Sequence, residues 1–177
     1  MSSAPASAAA PVRVSAERLD AWRAFLRAHA AVVGALETEL EAERELPLPW
    51  YDVLVSLSDA GGRLRMQDLA DRVLFSRSGL TRLVDRMATA GLVERERCED
   101  DRRGTFAVLT RTGTARLREA AGVHLRGIHD HFTSHLSDAD VAALVGALEK
   151  VLLAETGTGL GARGRGWEES RAPIPSS

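Results

Sequence analysis

Between residues 76 and 103 the chain gathers side chains suited to anions and to hydrogen-bonding edges. Ser78, Thr81, Arg82, Asp85, Arg86 and Thr89 recur at three- and four-residue steps, so on an α-helix they form one polar stripe. Ser76 and Arg77 sit at its start, where a helix N-terminus favours phosphate. Short hydroxyls and forked guanidiniums placed this way can reach base edges and phosphates. A few residues on, Arg95, Arg97, Arg102 and Arg103 cluster with Asp100 and Asp101. A carboxylate beside a guanidinium can fix its direction by a bidentate pair, so Asp101 with Arg103 would present an arginine already aimed. Such an arginine suits a narrow minor groove, which is read by shape more than by base hydrogen bonds. The same residues also describe a solvated helix face and a hairpin kept soluble by mixed charge; their adjacency favours a nucleic-acid surface.

These side chains need elements to hold them. Leu69, Ala70, Val73, Leu80, Leu83, Val84 and Met87 predict two packed helices over 66–74 and 76–90, the second closed by Gly91. Residues 92–98 and 105–110 alternate as strands around the polar turn 99–104. Helix, helix and β-hairpin in that order can put a helix in a DNA major groove and an arginine-tipped hairpin in the neighbouring minor groove. Upstream, Arg63-Leu64-Arg65 reads as a short strand, and a helix over 50–59 stops at Gly61-Gly62. A long helix over 15–45 carries Leu19, Phe25, Leu26, Val32, Val33, Leu36 and Leu40 at helical steps. At 1.5 Å per residue it spans roughly 45 Å, more than one side of so small a core covers, so a second subunit is expected against it. Leu46-Pro47-Leu48-Pro49 ends it. Two helical segments finish the chain, one over 112–135 and one from Ser137, whose spacing to Asp140 resembles a capping box.

Composition restricts the partners. The 177 residues carry a net charge of −2, yet between Arg63 and Arg111 eleven arginines face eight acids, a local +3 that leaves −5 elsewhere. A modest basic face on an acidic body suits a binder that relies on geometry over bulk attraction. Apart from Lys150 every cation is arginine, which suits guanine edges and phosphates and equally follows from a GC-rich genome. The first residues lack a basic segment before an apolar run, and no stretch is long and apolar enough to span a bilayer, so a soluble, cytoplasmic protein without a membrane partner is expected. One cysteine, Cys98, excludes an intrachain disulfide and a Cys-rich metal cluster. His131 and His135 stand four apart, but two ligands do not make a zinc site; no metal or other cofactor is expected. Paired acid and base, Gly-rich phosphate loop and nucleophile constellation are all missing, which argues against an enzyme.

The run SRSGLTRLVDRMATAGLVERERCEDDRRGTFAVLTRTG resembles the MarR-type winged helix-turn-helix regulators. The shared features are Ser76, Ser78, Thr81, Arg82, Asp85 and Arg86 in the recognition helix, the Gly91-Leu92-Val93 junction, Asp101 and Arg103 in the wing, and Leu109-Thr110 with Gly113 before the next helix. One departure is Leu74, where many helix-turn-helix motifs have glycine. The resemblance implies a mainly α fold with a small β-hairpin wing: a winged helix-turn-helix core over 49–111, flanked by dimerisation helices over 15–48 and 112–155; the composition of the ends, 1–14 and 156–177, predicts disorder there. It implies an obligate homodimer on double-stranded DNA, reading a pseudo-palindromic operator with half-sites about 10 bp apart. The DNA contacts would come from Ser76, Arg77, Ser78, Thr81, Arg82 and Arg86 of the recognition helix and Arg95, Arg97, Asp101, Arg102 and Arg103 of the wing. Such regulators commonly act as repressors released by a small aromatic effector, for which Trp22, His29, Trp50 and Tyr51 are the candidate pocket residues; these aromatics at helical spacing also fit an ordinary core. Two alternatives stand beside this reading: a winged helix used only for protein contacts, and an oxidant-responsive regulator using Cys98, whose thiol has Arg97 on one side and Glu99 on the other.

Overall fold

A computed structural model describes residues 13–73, 76–97 and 104–157 of the protein. Ser15 opens α1 (Ala16–Arg44), its hydroxyl accepting from the Arg18 N–H at 3.4 Å and so meeting one of the donors a helix start leaves unpaired. The helix closes at Glu45, whose φ of 47° is left-handed. Arg116 of α5 (Arg111–His131) donates to the Arg44 carbonyl at 2.6 Å, and Arg44 Nε donates to the Glu119 carbonyl at 2.9 Å. A cation thus complements the negative end of α1 and clamps it to α5. Farther along, His131 Nε2 lies 2.7 Å from Glu39, and Arg126 pairs with Glu43. Those half-exposed pairs add little; burial of Leu36, Leu40, Ala120 and Val123 holds the two helices together.

The next helix, α2 (Leu48–Asp59), begins two residues earlier than expected because Pro49 falls in its first turn. There a helix N–H has no partner and the fixed φ of proline fits. Leu48, Tyr51, Val53, Leu54 and Leu57 of α2 are buried at the centre of the core. The helix stops as predicted at Gly61-Gly62, both at positive φ, with the Gly62 N–H on the Leu57 carbonyl at 2.7 Å.

After it come β1 (Arg63–Arg65), α3 (Met66–Val73), α4 (Arg77–Thr89), β2 (Val93–Arg97) and β3 (Thr105–Leu109). The short strand β1 adds to the free edge of β3, so the hairpin becomes a three-stranded antiparallel sheet in the order β1-β3-β2. Leu64 and Arg95 share the register level of Ala107, and Arg65 and Glu96 that of Phe106. Alternation sends these two levels to opposite faces; the face with Ala107 and Val93 is buried against the helices. Leu74 and residues 98–103, with Cys98, Asp101, Arg102 and Arg103, lie outside the described residues.

The helix expected to reach residue 135 breaks at Phe132, whose φ of −137° leaves the helical region. Thr133–His135 form a 3-10 turn before α6 (Asp138–Thr156). His131 and His135 therefore do not share one continuous α-helix, and among the described residues no group of three or more His, Cys, Asp or Glu side chains gathers to hold a metal. The capping box at Ser137 is present: its hydroxyl accepts from the Asp140 N–H at 3.3 Å, and the Asp140 carboxylate accepts from the Ser137 N–H at 3.0 Å. No residue of α6 is buried within the chain. Among the described residues no helix is long and apolar enough to cross a membrane.

Candidate nucleic-acid interface

One face of α4 makes the core and the other faces solvent. Leu80, Leu83, Val84 and Met87 are buried against α3 and the sheet, whereas Arg77, Ser78, Arg82, Asp85, Arg86 and Thr89 are exposed. Ser76 caps the helix, accepting from the Gly79 N–H at 3.1 Å, so this expected DNA contact also serves the helix start. Thr81 is half-buried and donates to the Arg77 carbonyl at 2.9 Å, as Thr89 does to Asp85 at 3.0 Å. These bonds leave the stripe itself to Ser78, Arg82 and Arg86.

Asp85 and Arg95 depart from the picture drawn from spacing. Arg95 lies on the sheet face turned to α4 and forms an ion pair with Asp85. Asp85 is thereby neutralised within the stripe, and Arg95, expected on DNA, is occupied in tying α4 to β2. A carboxylate of α4 thus directs Arg95, while Asp101 and Arg103 lie outside the described residues. Arg97 is exposed at the end of β2.

Sequence reasoning missed the opposite sheet face. Arg63 sits over the Phe106 ring at 3.6 Å and pairs with Glu96 at 3.0 Å; Arg65 lies 5.3 Å from the same ring. Both cations thus reach one ring, and Glu96 compensates the charge of Arg63. The i, i+2 spacing of Arg63 and Arg65 on a strand was the available signal, but it does not reveal which strand lies alongside.

The four pocket candidates do not meet within one chain. Trp22 is 56% exposed and stacks along α1 on Phe25, which contacts His29. Tyr51 is buried instead against His124 of α5, ring centroids 4.4 Å apart, and Trp50 is half-buried beside it. Trp22 precedes Leu40, the buried residue of α1 nearest its end, by eighteen residues, about 27 Å along a helix axis. Burial pushes the Tyr51 hydroxyl up to about 12, with Asp52 and Asp59 adding to the shift.

His124 carries a buried Nδ1 with no hydrogen-bond partner, and burial pushes its imidazole below the usual histidine range. A folded-state value below the unfolded one means that the unfolded chain takes up the proton first. The contribution to stability is complete above the unfolded value, about 6.5, and is lost as pH falls through it toward the folded value. The His124 share of stability, measured by the thermal midpoint, should therefore fall on acidification from about pH 7.5 to about 5, against a gain from Asp52, whose carboxyl is raised by burial to about 6. His124→Phe should remove that increment and, by deleting an unsatisfied polar atom, raise stability at neutral pH by about 1 kcal/mol. An unchanged pH profile in the variant would show that His124 is not the group responsible.

A two-helix unit with an exposed arginine and hydroxyl stripe, backed by a three-stranded wing, defines a winged helix-turn-helix DNA-binding protein. A sequence model of the MarR family matches residues 45–104. The fold is similar to AbsC, a MarR family transcriptional regulator of Streptomyces coelicolor, at 36% identity and a TM-score of 0.76 over 84% of this chain and 100% of that one. Sco3205 of the same organism, a MarR family regulator solved in complex with DNA, is 29% identical, with a TM-score of 0.78 over 84% of this chain and 94% of its own. The HTH-type transcriptional regulator YfiV of Bacillus subtilis is 28% identical over 97 residues, 55% of this chain and 59% of its own length. The chain belongs to the MarR family of DNA-binding transcriptional regulators, which are not enzymes.

Proposed function

We propose that the protein is a homodimeric repressor that reads a pseudo-palindromic operator and leaves it on binding a small aromatic ligand. The observation that carries the dimer is the uncovered apolar surface at the two ends of the fold. Leu19, Trp22, Phe25 and Leu26 of α1 and Val141, Val145, Val151 and Leu153 of α6 are all exposed in the single chain. Apolar surface of that extent is rarely left to water, and two-fold pairing of the same helices would cover it. Symmetry then sets the two α4 helices on half-sites about one turn, 10 bp, apart. In this reading Ser78, Arg82 and Arg86 meet base edges, Ser76, Arg77 and Thr81 lie toward phosphate, and the minor groove falls to Arg97 and the run Asp101, Arg102 and Arg103. Arg95 serves to hold the wing against α4.

The effector reading rests on the α2–α5 contact. Tyr51 offers a ring face and His124 an unsatisfied nitrogen, the mixture of apolar wall and single polar group that an aromatic acid needs; in this reading Trp22 and His29 join it from the partner copy. The test is selection of bound duplexes from a random pool, followed by gel-shift titration with and without aromatic carboxylic acids. The expected result is an inverted repeat with half-sites about 10 bp apart, released as acid is added. Enrichment of a lone half-site would remove the dimeric reading, and complexes indifferent to every acid would remove the effector.

A further inference from the structure

The DNA-reading unit joins the exposed apolar helices at two places. One is the turn 45–47 between α1 and α2; the other is the start of α5, where the Thr110 hydroxyl accepts from the Gly113 N–H and donates to the Gly91 carbonyl. The angle at which α1 crosses α5 therefore sets where the far end of α1 stands relative to α4. At Gly127 the two helices leave no room for a methyl group, since a Cβ there would stand 2.6 Å from Leu36 Cδ2. One close point is a pivot, and an angle needs a second. The buried residues of α1 are Leu36 and Leu40, and nothing apolar continues the contact through its last turn. A cleft of about 450 Å³ lies there instead, and its walls, Ala42, Glu43, Arg44, Glu45, Arg116 and Glu119, include no large apolar side chain. What joins the helices at that end is a reciprocal pair of arginines. Arg116 donates to the Arg44 carbonyl at 2.6 Å, and Arg44 Nε donates to the Glu119 carbonyl at 2.9 Å. Arg116 also reaches the Glu45 carbonyl at 3.5 Å and pairs with Glu119 at 3.3 Å.

We propose that Arg116 is a positioning residue for DNA binding: by holding the last turn of α1 on α5 it fixes the angle between them, and with it the half-site spacing that the dimer accepts. The inference rests on the homodimeric reading above. Leu36 lies eight residues from Arg44 and fourteen from Trp22, about 12 Å and about 21 Å along a helix axis. With Gly127 as pivot, a shift of about 2 Å at the clamp becomes roughly 3.5 Å at Trp22, on the order of the rise of one base pair. A guanidinium bonded to the last carbonyls of a helix is charge-assisted and meets the negative end of its dipole. Those acceptors are backbone and cannot swing, so the bond holds a direction. The half-exposed Arg126–Glu43 pair links the same helices through two flexible side chains and constrains the angle little.

Full-length protein, Arg116→Ala, Arg116→Lys and Arg126→Gln are titrated by gel shift against three duplexes: the selected inverted repeat, the same repeat with about 2 bp added between its half-sites, and a lone half-site. The unaltered protein should prefer the selected spacing. In Arg116→Ala the affinity ratio between the two spacings should fall by about 10-fold, the strength of one hydrogen bond to a charged group. Its affinity for the lone half-site should stay unchanged, because α4 and the wing are untouched. Arg116→Lys, which keeps the charge without the fork, should recover part of the ratio, and Arg126→Gln should keep all of it. An unchanged spacing ratio in Arg116→Ala overturns the proposal while the DNA-binding dimer stands. A loss on the lone half-site as large as on the repeat also overturns it, since that marks a general structural role. So does an Arg126→Gln variant as relaxed as Arg116→Ala, which would make any pairing of the two helices the cause. Equal binding of both spacings by the unaltered protein removes the dimeric reading and this one together.

Discussion

Arg82→Ala is expected to lower affinity for the operator by about 10- to 100-fold while leaving binding to mixed-sequence DNA nearly unchanged. Leu80, Leu83, Val84 and Met87 anchor one face of α4 in the core, which turns Arg82 almost directly away from the protein. The other charged residue nearest the centre of the exposed face, Asp85, is paired with Arg95 and so neither repels phosphate nor competes for bases. Arg82 is left as the cation best placed to donate a forked pair of hydrogen bonds to a base edge, typically guanine. A bidentate pair discriminates by about 1–3 kcal/mol, the source of the expected factor. Arg82→Lys should recover the charge without the fork and sit between the two. Gel-shift titration on both duplexes decides: equal losses on each, with a flatter salt slope, would make Arg82 a phosphate ligand, and unchanged affinity would falsify its assignment to the interface.

Asp85 also marks where sequence patterns stop being sufficient. Helical periodicity located α4 and its buried face, because packing of leucine and valine at three- and four-residue steps is a local signal. Strand alternation placed β2 and β3, but alternation specifies only which residues share a face and not which element lies opposite that face. Asp85 and Arg95 are ten residues apart and meet only once α4 and β2 are folded against each other. The same gap explains Arg65. Its partner ring, Phe106, belongs to a strand 41 residues later, and the register that joins them is set by the three-stranded sheet.

Range failed differently at the ends of the fold. Residue type groups Trp22, His29, Trp50 and Tyr51 as walls of one cavity, but within the single chain Trp22 and His29 lie beside Phe25 of α1, and Tyr51 packs on His124. Pro49 looked like a terminator because proline excludes helix before it, although the first turn of α2 accepts it. Conversely, the length of α1 reads as more than one side of so small a core covers, and Leu19, Trp22, Phe25 and Leu26 along it are exposed in the single chain.

Gly113→Ala should destabilise the protein by about 3 kcal/mol, the upper part of the range for overpacking, although alanine is the better helix former by about 1 kcal/mol. Gly113 lies in the first turn of α5, and a Cβ there would stand 2.1 Å from the Leu92 carbonyl oxygen and 2.9 Å from Leu109 Cδ1. The nearer obstacle is backbone and cannot rotate aside. It is also held in place: the Thr110 hydroxyl accepts from the Gly113 N–H at 2.9 Å and donates to the Gly91 carbonyl at 2.7 Å, with the Leu92 carbonyl 3.0 Å away. One side chain thus caps α5 and pins the turn between α4 and β2, so relieving the clash means parting α5 from that turn. Gly122, in the middle of the same helix, has no atom within 4 Å of a built Cβ. Gly122→Ala should accordingly gain about 0.5–1 kcal/mol. At a fixed protein concentration the two variants should shift the thermal midpoint in opposite directions, Gly113→Ala downward by about 10 °C. A Gly113→Ala protein as stable as Gly122→Ala would mean that α5 can move away from the turn at little cost, and that the two parts of the fold are only loosely joined.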